Sequence, residues 1–213
     1  MRTLLYIPII HTSADMGSLA DPVRRITVER LGWRRWKNNA EAIDQLWQLI
    51  RGEIENLDLP YSKVRLYQDG LPVCGREVAI VDDLARAESP NHKLLFYLMG
   101  RGATLMGTES PDLLMEEYSL LQRVVASRGL AGAARIEQQQ KALRQSLLER
   151  RDRFIAARIN ETLGDGETGV IFLGMLHSPQ RWLEPDIKVL YPVSTIASLN
   201  KQGARKPEGK KAQ

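Results

Sequence analysis

The chain has 213 residues, of which 43% are hydrophobic and 26% charged, with a formal net charge of +4 at pH 7 and a single cysteine. These proportions exclude an intrinsically disordered chain, which would need low hydrophobicity and high net charge, and the length suits one core. The lone thiol, Cys74, rules out an intrachain disulfide framework and points to a reducing, cytoplasmic setting; with the basic residues Lys201 to Lys211 set aside the body is nearly neutral, which argues against a nucleic-acid partner.

The apolar run Thr3 to Ile10 reads as a buried first strand, and its short length and polar His11, Thr12 and Ser13 fit neither a leader peptide nor a membrane span. From Ser18 to Leu57 the pattern is helical, with Ile43, Leu46, Trp47 and Ile50 on one face and Gly32 and Gly52 as expected interruptions. Lys63 to Tyr67 is a second strand closing on Gln68, Asp69 and Gly70. Helices follow over Val78 to Ala87 and Asn91 to Met99, then a short third strand over Ala103 to Met106. Ser110 before Pro111 is an N-cap signal for a helix running to about Ser127.

Ala131 to Leu163 carries Ile136, Leu143, Leu147, Ile155 and Ile159 on a helical period among dense Arg, Glu and Gln, so the longest helix is expected there, with a solvated charged face. Gly164 ends it, and Gly169 to Leu173 is the clearest strand, leading into Gly174 and His177. A short helix at Pro179 to Leu183, a last strand at Ile187 to Tyr191 and a basic, disordered tail over residues 201–213 complete the expectation. The fold class is therefore α/β, a mostly parallel sheet flanked by helices with one long helix in the C-terminal half, forming a single domain over residues 1–200.

In such sheets ligands bind outside the C-terminal strand ends, where this sequence places His11, Asp69, Glu109 and His177. Imidazoles and carboxylates brought together can move protons or hold a metal, so these four are the candidate catalytic residues. A histidine hydrogen-bonded at a strand end would give the same pattern without chemistry. Asp15, close behind His11, is either an N-cap or a substrate-binding group; Arg153 and Asn160, about two turns apart on the long helix, are candidate substrate contacts or solvated residues. His92 reads as a surface or capping residue, and Cys74 as a plain loop thiol. Phosphate-cradling glycine loops, a nucleophile elbow and the paired-histidine zinc helix are absent from the sequence, which takes support from nucleotide-loop enzymes, ordinary serine hydrolases and zincins.

Arg151, Asp152 and Arg153 on a helix, then the strand Val170 to Leu173, then Gly174 and His177 three residues on, resemble the C-terminal motifs of the TraB/PrgY-like group and its Tiki, erythromycin-esterase-like and ChaN-like relatives. His11 occupies the place of their first strand-end histidine, although Pro8 stands where a glycine is usual. Tyr67 to Asp69 and Gly107 to Glu109 match their acidic strand ends more loosely. The resemblance implies a hydrolase-like enzyme acting on a small molecule or peptide. It implies a divalent metal on His11, His177 and Glu109, acid/base work by Asp69 and Glu109, and Arg153 as an anchor. The rival expectation is a non-catalytic binding protein that uses the charged helix and basic tail, and Trp33, Trp36 and Trp47 allow a homo-oligomer.

Overall fold

Alternation along the first strand sets the layers of the molecule. In the computed structural model, which describes residues 1–12, 15, 20–127 and 129–192, β1 (Arg2–Ile9) sends Leu5, Ile7 and Ile9 into one apolar cluster and Leu4 and Tyr6 into another. This is the two-residue period of a strand buried on both faces. β4 (Thr168–Gly174) divides Val170 and Phe172 from Ile171 and Leu173 in the same way.

The remaining strands are β2 (Val64–Gln68), β3 (Thr104–Leu105) and β5 (Ile187–Leu190), and the sheet order is β3-β2-β4-β1-β5 with every pairing parallel. Covering the first face are α2 (Trp33–Glu55), α3 (Glu77–Arg86) and α4 (Pro90–Gly100), through Trp47, Ile50, Ile54, Val81, Leu94, Leu95 and Leu98. The second face is covered by α6 (Gly129–Thr162) through Ile155 and Ile159. Ile50 and Ile155 are wholly buried, so truncating either to alanine should cost about 2–5 kcal/mol.

α5 (Pro111–Val125) starts at the Ser110 cap, whose hydroxyl accepts the Leu113 N–H, and packs on α6 through Leu113, Leu120 and Leu147. α1 (Ala20–Leu31) lies on α2 and also reaches α5 and α6. The α/β architecture and the long helix match expectation. Gly52 does not: it lies inside α2, whereas Gly32, at φ 81°, is the break between α1 and α2. Such a backbone is one that only glycine adopts freely. No helix among the described residues is long and apolar enough to cross a membrane. The expected basic tail, residues 201–213, lies outside the described residues.

This strand order fixes where chemistry can occur. The chain leaves β1 and β2 toward the helices of the first face, and leaves β3 toward α6 on the second. β4 sits between β2 and β1, and leads to a short turn packed on α6. Adjacent loops therefore diverge around the end of β4, which is where open parallel sheets form a crevice.

A candidate acid–base site at the strand ends

Asp69, the residue after β2, is the centre of that crevice. Its Oδ2 accepts the Gly174 N–H at 2.8 Å and lies 3.1 Å from His11 Nε2 and 3.6 Å from His177 Nε2. Two histidines from opposite ends of the sequence thus address one carboxylate oxygen. The approach depends on Gly174, because a Cβ there would stand 2.9 Å from that oxygen and 3.6 Å from His11 Nε2.

Asp69 Oδ1 accepts from Arg151 Nη2 at 2.9 Å, and the same guanidinium grips Glu109 through Nε and Nη2, both at 2.6 Å. This two-pronged contact is the geometry that makes arginine specific for carboxylates. Glu109 is wholly buried, held also by the Gly70 N–H at 2.8 Å, and Arg151 reaches Glu117 with its third nitrogen at 2.6 Å. Gly70 adopts φ 75° to make the turn that aims this N–H. His177 is fixed from its far side: Nδ1 is 2.5 Å from Asp152 Oδ1, while Asp152 Oδ2 accepts the Ser178 N–H at 2.8 Å.

Arg151 is shared by the carboxylates of Asp69 and Glu109, and the two imidazoles face Asp69 and Asp152. Burial would lower both histidines, but the hydrogen bond and charge of Asp69 raise His11, and the bond to Asp152 with the charge of Asp69 raises His177. Burial would lift Asp69, yet the hydrogen bond from His11 and the positive charges of His177 and Arg151 hold it well below the ordinary carboxylate range. Burial pushes Glu109 the other way, upward, with the neighbouring Asp69 charge adding to the push. Carboxyls driven apart in this way can take different roles.

His11 links the site to solvent. Its side chain is 35% exposed, against 5% for Asp69 and His177 and 4% for Arg151. The expected quartet of His11, Asp69, Glu109 and His177 does assemble. Asp15 lies beside it, 3.9 Å from His11 Nδ1, with its carboxylate held by Thr12, Ser89 and His92 rather than left free for a ligand.

No family model, curated protein or solved structure matches this chain. The residues alone carry the functional argument.

Arg153 and Asn160 are not in the crevice. Arg153 is exposed, paired with Glu149 and stacked over the Trp182 ring. Asn160 ties α6 to the last loop through Trp182 O and the Glu184 N–H. The anchoring arginine is Arg151, two residues earlier, and its neighbour Asp152 completes the site. Spacing could have shown this, since Leu147, Ile155 and Ile159 form an i, i+4 stripe on which position 151 falls. His92 is buried, contrary to the surface reading, because its Nδ1 bonds Ser89 at 2.7 Å. Cys74 is exposed and free, as expected for a loop thiol.

The expected metal set was His11, His177 and Glu109. Among the described residues, the donor atoms that lie within 4.8 Å of one another belong instead to Asp69, Glu109 and His177. Oxygen and imidazole donors of this kind suit zinc or manganese. Asp69 Oδ2 and His177 Nε2 are the donors that Arg151 does not hold; Glu109 could join them only by releasing part of its grip on the guanidinium.

Proposed function

We propose that the protein is a hydrolase that cleaves an ester or amide bond of a small molecule or peptide with a histidine-activated water. The convergence of His11 and His177 on one oxygen of Asp69 carries this reading. With Nε2–H donating to Asp69, His11 keeps a lone pair at Nδ1 and is the exposed imidazole, so it is the general base that takes a proton from water. The water oxygen bonds to the carbonyl carbon, and collapse of the tetrahedral intermediate breaks the bond to the leaving group, which departs with a proton returned by an imidazolium.

His177 supports that charge. Its Nδ1 is bound to Asp152 and its Nε2 faces an ionised Asp69, surroundings that favour the imidazolium and suit a proton donor or an electrostatic stabiliser. Asp69 orients His11 as the carboxylate does in a histidine–aspartate pair, and Arg151 acts as a positioning residue that keeps Asp69 ionised and in place, with Glu109 fixing the guanidinium. The same strand-end histidines and the glycine before His177 support kinship with the TraB-like and erythromycin-esterase-like hydrolases, and the free thiol supports a cytoplasmic setting.

A metal-assisted form of the same reaction is favoured by one observation, the nearness of Asp69, Glu109 and His177 donor atoms. A divalent cation there would supply Lewis acidity and a more acidic water, with Asp152 orienting His177 as a carboxylate commonly orients a ligating imidazole. Elemental mass spectrometry on untagged protein separates the two forms: stoichiometric metal, lost in a folded His177→Ala variant, selects the second.

Hydrolysis itself is tested with a panel of p-nitrophenyl esters and anilides on wild type, His11→Gln and His177→Gln, with circular dichroism to verify folding. Turnover by wild type that falls in both variants supports the assignment. Turnover that persists in folded His11→Gln, or none by wild type across the panel, overturns it.

A further inference from the structure

A cavity of about 420 Å³ is lined by α1 and α2 together with His11, Thr12, Glu88 and Pro90. Its walls are largely apolar, with Val23 from α1 facing Trp36, Ala40 and Ile43 from α2. His11 belongs both to this lining and to the hydrogen-bonded group around Asp69. Asp69, Glu109, Arg151 and His177 are almost wholly buried while His11 is about one-third exposed, so His11 is the member of the group that a molecule in this cavity could reach.

We infer that this cavity is the acyl pocket of the enzyme and that the substrates are uncharged esters or amides with a medium-length apolar acyl group, an inference that rests on the hydrolase reading above. Size excludes larger occupants: a few hundred Å³ holds a small organic molecule and not a helix or a protein segment. Charge excludes anionic ones. Arg24, the basic residue of the lining, is paired with Asp21 at 2.9 Å, and the lining also carries Asp44 and Glu88, so no surplus of positive charge faces a ligand. An apolar tail seated between α1 and α2 would lay its carbonyl beside His11, where a water deprotonated at Nδ1 can attack it. α1, which also reaches α5 and α6, forms one wall of the pocket beside His11.

The test uses the full chain and p-nitrophenyl esters from acetate to octanoate, beside the binding of octanamide measured by calorimetry. On wild type, kcat/KM is expected to rise about fourfold per added methylene until the cavity is full, the value for each methylene leaving water. Ala40→Trp, which narrows the cavity from the α2 side, should lose the chain-length gain and lose octanamide binding. Octanamide binding that Ala40→Trp abolishes, in a protein that hydrolyses no ester, would leave the pocket standing and remove the hydrolase. Ester turnover indifferent to chain length, with no octanamide binding by wild type, would overturn the pocket and leave the hydrolase intact.

Discussion

Replacing Arg151 with methionine removes the cation that holds two buried carboxylates together and leaves a side chain of similar length. The guanidinium makes two 2.6 Å bonds to Glu109 and one of 2.9 Å to Asp69, and the Glu109 side chain is 0% exposed. Breaking a buried ion pair from one side costs about 3–5 kcal/mol because the remaining charge is left unpaired, a large share of the roughly 5–15 kcal/mol by which domains are stable. Urea unfolding at pH 7 of wild type, Arg151→Met, Glu109→Gln and the double variant reads this directly, and the double variant should recover a coupling energy of about 1–3 kcal/mol. Lowering the pH should shrink the penalty of Arg151→Met, since burial already pushes Glu109 toward its neutral form and protonation removes the orphaned charge. A loss below about 1 kcal/mol, or strictly additive variants, would refute the packed Asp69–Arg151–Glu109 arrangement.

Further expectations follow from the same contacts. Asp152→Asn leaves His177 Nδ1 without its carboxylate partner at 2.5 Å, so ester turnover should fall at least about 10-fold to 100-fold in a folded protein; unchanged turnover would separate His177 from the chemistry. Gly174→Ala places a methyl 2.9 Å from Asp69 Oδ2, and a loss of about 1–3 kcal/mol in urea unfolding is expected, whereas wild-type stability would show that the carboxylate does not sit there. The raised His11 and His177 add stability that is complete below their unfolded pKa near 6.5 and is lost as pH rises through their folded values. Unfolding free energy should therefore decline from about pH 6.5 upward, less steeply in His11→Gln, and a flat profile would contradict the raised values.

The layers and the quartet at the strand ends were legible because both follow from short-range pattern. The two-residue alternation of Leu4 to Ile9 and the apolar strand before Gly174 mark buried parallel strands, and polar residues just past such strands can only gather at one end of the sheet. Arg153 and Arg151 differ in helical phase: two residues, just over half a turn, separate a solvated arginine stacked over Trp182 from one buried against Glu109. Gly52 misled for a related reason, because the packing of Trp47, Ile50 and Ile54 on the sheet outweighs the modest helix penalty of one glycine. The role of Asp152 and the cavity beside His11 depend on contacts between residues far apart in sequence, for which local spacing carries no signal.

The proposed chemistry stands on the shared engagement of Asp69 by His11 and His177, and nitrogen-15 NMR titration of the imidazoles in wild type and Asp69→Asn measures it most directly. The chain has three histidines, so the spectrum is simple, and His92, bonded to Ser89, provides the assignment reference. In Asp69→Asn the titrations of His11 and His177 should both move to lower pH, since each loses the same negative neighbour. Movement of only one of them, or of neither, would show that the two histidines do not share that carboxylate.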